Sequence, residues 1–215
     1  MADLKAKAFT SAKKYGSNDA TIDLTATRDG ALYTAEYRLN KGMEGRVFTV
    51  SSATALTAVN FVAIASYAAT TPQLVVDVPI GKIIVPLRIT VHFSLTGGVL
   101  PTAHAVIGTN NVGAGTSTAL TAFCNRPKTG NTSGCSCYGT YTGAGTAPTG
   151  GGEFWRSGNG QALAAGVPAI YEWLLNEDPP EVIDGLGCLA VYANATTSAT
   201  GYIKTSWMEF SVGDL

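Results

Sequence analysis

The pattern of apolar and polar residues along this chain is that of a β protein. It is clearest in KIIVPLRITVHFSL, residues 82–95, where one set of positions is apolar and the set between them is polar. The two sets are Ile89, Val91, Phe93 and Leu95 against Arg88, Thr90, His92 and Ser94. A period of two places the two sets on opposite faces of a strand, so we expect one buried and one solvated face.

Prolines divide the longer apolar run that contains this segment. Pro79 and Pro86 interrupt PQLVVDVPIGKIIVPLRITVHFSL, and a proline cannot donate a hydrogen bond to a neighbouring strand. The run is therefore predicted to form two strands with a turn near Gly81.

The last third of the chain contains three further strand candidates. They are PAIYEWLL, GLGCLAVYA and TGYIKTSWMEFSV. The polar run from Asn194 to Thr200 is predicted to join the last two as a hairpin. In the final strand, Ile203 and Trp207 are predicted on one face, whereas Tyr202, Met208 and Phe210 are predicted on the other, so we expect that strand to be covered on both sides.

Many short strands, turns rich in Gly, Pro and Thr, and little helical periodicity predict an all-β fold. We expect a jelly-roll-like β-sandwich with an extended N-terminal arm and long loops. Residues 1–45 are polar, with β-like pieces on either side of an Asp29-Gly30 turn signal, and are interpreted as the arm or a first hairpin. Residues 46–215 are assigned to the sandwich domain.

The composition narrows the possible partners. Only 13% of the 215 residues are charged and the net charge is −1, so the chain lacks the basic field that holds nucleic acid. Low charge together with 46% hydrophobic residues favours association with other subunits. No segment has the pattern of a membrane span or a secretory signal, so we expect synthesis in a cytosol and no membrane contact.

The four cysteines have the spacing C-x10-C-x-C-x50-C, at Cys124, Cys135, Cys137 and Cys188. Structural zinc sites usually show paired cysteines two to four residues apart or nearby histidines, so no metal site is predicted. A disulfide from Cys124 to Cys135 or Cys137 is geometrically possible, and free thiols are the alternative expected in a reducing cytosol. Cys188 is interpreted as a buried small hydrophobic residue.

The segment 125–152 is expected to be a long connection between strands. Its Gly143-Ala144-Gly145 lacks the remaining glycines and the lysine of a phosphate-binding loop, so no cofactor is predicted. Long connections are usually functional or ordered by neighbours, so we expect this one to contact another subunit. Aromatic residues are candidates for that interface: Tyr138, Tyr141, Phe154, Trp155 and Trp207.

No catalytic residue is predicted, and the chain is not expected to be an enzyme. His92 and His104 lie outside any nucleophile motif and are interpreted as structural. The acidic residues around NEDPPEVIDG are interpreted as a solvated turn.

Three segments carry a resemblance to a known class of protein. They are DLTATRDGALYTAEYRLNKGMEGRVFTVSSAT, TTPQLVVDVPIGKIIVPLRITVHFSLTGG and GCLAVYANATTSATGYIKTSWMEF. In the order of these features, residues 21–210 resemble β-rich virion proteins of tailed bacteriophages. The resemblance implies a jelly-roll-like structural protein of the capsid, forming a trimer or a lattice.

We therefore expect a bacteriophage virion component, foremost a capsid-surface decoration or cement protein or a jelly-roll capsid subunit. Its partners would be itself and other capsid proteins, and it would reside in the virion after synthesis in the host cytoplasm. A tail or fibre component is one alternative. A carbohydrate-binding β-sandwich is another, for which Trp155, Trp173 and Trp207 are the aromatic candidates.

Overall fold

The fold is nearly all β and consists of two mainly antiparallel sheets in a sandwich-like arrangement. The computed structural model describes residues 5–7, 21–23, 41–53, 57–63, 68–95, 100–158, 167–175, 181–195 and 199–214. This architecture confirms the all-β prediction.

The strands follow one another along the chain with short helical turns between some of them. They are β1 (Lys5–Lys7), β2 (Thr21–Asp23), β3 (Val47–Ser51), β4 (Val59–Ala63), β5 (Leu74–Val78), β6 (Lys82–Leu95), β7 (Thr102–Gly108), β8 (Thr116–Leu120), β9 (Phe123–Cys124), β10 (Ser136–Gly143), β11 (Glu153–Gly158), β12 (Ala169–Leu174), β13 (Ile183–Asp184), β14 (Gly187–Ala195) and β15 (Ala199–Ser211). Short 3-10 helices span Pro127–Thr129 and Val212–Asp214.

The first sheet is built on the long antiparallel pair of β6 and β15. β12 and β13 border the other side of β6, while β3 and β4 border the other side of β15, and β9 pairs with β3. The second sheet has the order β8, β10, β5, β14, β7, β11. β4 connects the two sheets, because it also forms a short parallel pair with β14.

The inner faces of the two sheets enclose the main core. Ile89, Val91 and Phe93 of β6 are completely buried there, as the alternating pattern predicted. Phe93 makes edge-to-face contacts with Phe61 and Tyr171, at ring-centroid distances of 5.0 and 5.9 Å. These contacts join β4, β6 and β12 through one aromatic group.

A β-bulge next to Pro86 allows β6 to continue through this proline. Arg88 pairs with Ser206 and Pro86 pairs with Trp207, so Leu87 has no opposite residue on β15. Prolines are tolerated at bulges because the hydrogen-bond ladder is already interrupted there. The predicted turn near Gly81 is confirmed, and Gly81 has the positive φ of 85° that a tight turn requires.

The predicted hairpin between the last two strands is wrong. β14 belongs to the second sheet and β15 to the first, and the pairing partner that the two share is β4. The chain therefore crosses between sheets at this point instead of reversing within one.

Of the N-terminal region assigned to 1–45, the structure describes only three parts. β1 and β2 form an antiparallel pair in which Lys5 lies opposite Asp23. The piece predicted after Asp29-Gly30 lies outside the described residues.

Candidate interaction surfaces

Residues 124–155, which we call the cysteine-rich stretch, are part of the sandwich and do not form a long excursion from it. β10 and β11 both lie in the second sheet, where β10 pairs with β5 and β8, and β11 pairs with β7. The expectation of one unbroken loop over 125–152 is therefore wrong. Its sequence signal was weak because Gly, Ser and Thr alternate with few large apolar residues.

The four thiols are free in the structure, and three of them are buried. Cys124 and Cys137 belong to the main core, and Cys188 lies on the outer face of the second sheet. Burial raises the pKa of Cys137 and of Cys188 to about 12, with the nearby Asp77 carboxylate adding to the effect. Such thiols are poor nucleophiles near neutral pH.

Glu209, on β15, holds Ser133 and Gly134 of the cysteine-rich stretch against the first sheet. Its nearly buried carboxylate accepts hydrogen bonds from Ser133 Oγ at 2.6 Å and from the Gly134 amide at 2.9 Å. Lys82 Nζ lies 3.4 Å from the same carboxylate. The pKa of the Cys135 thiol is strongly raised by burial and then by this carboxylate. The cluster is interpreted as structural, because the negative charge of Glu209 is paired with the positive charge of Lys82.

The glycine-rich part of the stretch is ordered by its own chain. Residues 145–152 run alongside residues 107–112, with hydrogen bonds from Ile107 N to Gly152 O and from Thr109 N to Thr149 O. A side chain at Gly151 would overlap the carbonyl oxygen of Ile107, so only glycine permits this close approach. The predicted contact of this segment with another subunit stays a prediction.

A buried aspartate fixes the loop that follows β7. Asp77, on the outer face of β5, accepts hydrogen bonds from the Val112 amide at 2.9 Å and the Gly113 amide at 2.8 Å. Burial raises the pKa of Asp77, although the two amide bonds lower it. The loop is thereby held over the outer face of the second sheet.

The two tyrosines among the interface candidates lie on β10, close to that loop. Tyr141 is buried and donates a hydrogen bond to Gly113 O, whereas Tyr138 is half-buried. Cys137 and Tyr141 join different clusters despite their even spacing, since the β10–β8 register shifts between them. Thr140 has a φ of 53°, in the left-handed region that β-branched residues rarely adopt, which reverses the strand's faces.

The aromatic candidates outside β10 differ in exposure. Trp207 is completely buried in the main core, stacked on Phe48, so its side chain is not available to a partner subunit. Phe154 and Trp155 are half-buried on β11 at the edge of the second sheet, and Phe154 contacts Trp173 across the sandwich. Tyr138, Phe154 and Trp155 keep their interface role as a prediction.

Both histidines stack on tyrosines. His104 lies parallel to Tyr192 at 4.7 Å on the outer face of the second sheet, and burial lowers its pKa. His92 lies parallel to Tyr202 at 4.8 Å on the outer face of the first sheet. Within the described ranges, no three His, Cys, Asp or Glu side chains are arranged to hold a metal ion. No helix among those residues is long and apolar enough to cross a membrane.

One end of the sandwich exposes four apolar side chains, which we call the apolar end. They are Ile80 (81% exposed), Val182 (52%), Leu186 (47%) and Val212 (56%). Their segments meet at the turn between β5 and β6, where Gly185 N donates to Lys82 O and Val212 N donates to Gly81 O. Sequence analysis missed this feature because the four residues are spread over 133 positions of the chain.

The sheet edges offer a second kind of contact. β8 borders only β10 among the described strands, and the segment from Gly113 to Ala122 contains no charged residue. The edge strand β11 differs, because Glu153 and Arg156 form an ion pair on it. Charges protect an edge from pairing with other chains, so β8 is the less protected edge.

Comparison with protein-family models, with curated proteins and with solved structures finds no significant match to this chain. The function is therefore argued from the geometry.

Proposed function

We propose that this chain is a structural component of a bacteriophage virion. It acts through contacts with copies of itself and with other capsid proteins, foremost as a capsid-surface decoration or cement protein or as a jelly-roll capsid subunit. The observation that carries the proposal is the apolar end.

The apolar end supports a contact function because its four apolar side chains stay exposed to water and are not buried by the chain itself. Ile80 occupies the tip of a tight turn, where a polar residue would serve the fold equally well. Exposed apolar side chains that converge on one site are typical of surfaces that a partner covers. The uncharged edge at β8 would allow a second contact by sheet extension.

Strand pairing supports the jelly-roll part of the proposal. β6 pairs with β15, and the next strand, β7, pairs with β14. Two consecutive strands thus pair with the last two in reverse order, as when a long hairpin rolls over a sandwich. The position of β5 beside β14 lies outside this nested pairing.

The carbohydrate-binding alternative was based on tryptophans, and the structure weakens that basis. Trp173 and Trp207 are 1% and 0% exposed, so neither can present a ring to a sugar. Trp155 is half-buried and would stand alone.

The contact proposal is tested with the double variant Ile80→Asp, Leu186→Asp. Both side chains are exposed, so the fold should be retained while association in sedimentation velocity decreases. Met43→Asp, Phe123→Asp is the matched control, because both side chains are about half exposed and lie outside the apolar end, and the change in net charge is the same. Equal association of wild type and double variant would contradict the role of this surface.

The virion assignment is tested by mass spectrometry of purified particles from an infected culture that produces the chain. We expect the protein at a fixed, high copy number per particle, as a lattice or decoration component requires. Its absence from particles that contain the portal and the main shell protein would overturn the assignment.

A further inference from the structure

The outer face of the first sheet contains a polar groove of about 300 Å³. Its lining comes from three adjacent strands, β12, β6 and β15: Arg88, Thr90, Ile170, Glu172, Tyr202, Lys204 and Ser206. None of these residues has a part in the main core or in the apolar end.

Strand register explains why this face is concave. One row across the sheet contains Tyr202, His92 and Ile170, and the next contains Lys204, Thr90 and Glu172. The lining combines the short side chains of Thr90 and Ser206 with the longer side chains of the other residues. A fully solvated sheet face needs no such alternation of short and long residues.

One side of the groove is aromatic. Tyr202 stacks on His92 with ring planes inclined by only 14°, and Ser94 Oγ lies 3.3 Å from His92 Nδ1. Ile170, 59% exposed, lies on the other side of His92. The groove therefore pairs an apolar wall with polar groups, the combination that sugar rings require.

The rest of the lining contains an ion pair and one further cation. Arg88 Nη2 lies 2.5 Å from Glu172 Oε1, which also accepts a hydrogen bond from Thr90 Oγ1 at 3.3 Å. The charge of Glu172 is thus matched by Arg88. Lys204 has no ion-pair partner among the described residues, so the groove has one uncompensated positive charge.

We propose that this groove binds a carboxylate-bearing sugar, such as a uronic acid unit of a saccharide. Lys204 pairs with the sugar carboxylate, Tyr202 packs against the apolar side of the ring, and Thr90, Ser206 and Glu172 bond its hydroxyls. The volume suits one sugar unit, at the small end of ligand sites. This site does not depend on the proposed virion function.

The experiment is a titration of the full chain with D-glucuronate and with uncharged D-glucose, followed by amide chemical shifts. We expect saturable shifts at residues 88–92, 169–173 and 202–206 with glucuronate, and binding at least about tenfold weaker with glucose. Such a sugar could belong to a surface polysaccharide or be free in solution. A glucuronate-containing tetrasaccharide distinguishes these two sources. Tighter binding of the tetrasaccharide indicates a surface polysaccharide, and equal binding indicates a free sugar acid.

Lys204→Gln should weaken glucuronate binding about tenfold and leave glucose binding unchanged. Lys128→Gln is the matched control, because Lys128 is exposed on a 3-10 helix outside the groove and the change in net charge is the same. The absence of saturable binding by wild type up to roughly tens of millimolar glucuronate would overturn the proposal. Equal weakening by both variants would also overturn it, because the effect would then be one of overall charge.

Discussion

The outer faces of the two sheets differ in what covers them. On the second sheet, Val75, Cys188, Ala190 and Tyr192 are buried by the chain itself, under the loop held by Asp77. On the first sheet, the corresponding face is polar and concave around Arg88, Lys204 and Tyr202. Only the far part of this face is covered, where a buried apolar cluster contains Val47, Ile83, Met208 and Phe210.

This difference indicates where the molecule can meet other molecules. The cysteine-rich and glycine-rich segments, which the sequence predicts to contact another subunit, also contribute to the cover of the second sheet, and their contact with a partner stays a prediction. Among the described residues, the apolar end, the β8 edge and the groove on the first sheet are further candidate surfaces for partners. The contrast is therefore between the sealed outer face of the second sheet and the open groove on the first.

The largest contrast is expected in thiol reactivity. Cys188 lies on the sealed face, where burial raises its pKa to about 12, so very little of the thiol would be ionised at pH 8, and access is blocked as well. A cysteine introduced by Ser206→Cys on the open face should react with iodoacetamide orders of magnitude faster. Mass spectrometry of separate peptides measures both rates in one sample.

Labelling after unfolding without a reductant supplies the control. Four modified native cysteines are expected if all thiols are free, as in the structure. Two fewer would reveal a disulfide and contradict that assignment.

The next largest contrast is in stability. Tyr192 is 1% exposed and donates a hydrogen bond to Ala69 O at 2.7 Å, so Tyr192→Ala should cost about 3–5 kcal/mol of unfolding free energy. Tyr202→Ala on the open face should cost roughly 1 kcal/mol, mainly the stacking on His92. Urea unfolding of both variants provides the comparison, and similar costs would mean that the two faces are equally covered.

Two carboxylates provide a smaller contrast. Asp77→Ala leaves the buried amide of Val112 and the part-buried amide of Gly113 without their acceptor, which should cost about 1–3 kcal/mol. Glu172→Ala removes an exposed ion pair and should cost less than about 1 kcal/mol. The ordering is checked by thermal unfolding, and a greater loss from Glu172→Ala would reverse the account of the two faces.

The smallest effect is expected at Thr140. Its φ of 53° is unfavourable for a β-branched residue and suits glycine, so Thr140→Gly should raise stability by up to about 1 kcal/mol. A loss of more than about 1 kcal/mol in urea unfolding would show that the threonine side chain, and not the backbone conformation, governs this bulge.

The elements that could be predicted from the sequence are those with large alternating side chains. β6 was predictable since Ile89, Val91 and Phe93 alternate with polar residues and face the core. β7 and β10 were missed because their inward positions include Ala103, Ala105 and Cys137, whose small side chains give little periodic signal.

The groove and the apolar end could not be found from sequence, because strand register brings distant residues together. Arg88, Glu172 and Tyr202 lie far apart in the chain and become neighbours only through the pairing of β12, β6 and β15. The wrongly predicted hairpin has a related cause. A short polar run after β14 is compatible either with a reversal in one sheet or with a crossing to the other.

Hydroxyl-radical footprinting of the purified protein tests the contrast between the two faces most directly. Tyr202 and Ile170 on the first sheet, and Ile80 at the apolar end, should be modified at rates typical of accessible side chains. Tyr192 and Tyr141 on the second sheet should be strongly protected. Modification of Tyr192 as fast as that of Tyr202 would contradict the account, because the second sheet would then be open to solvent and to partners.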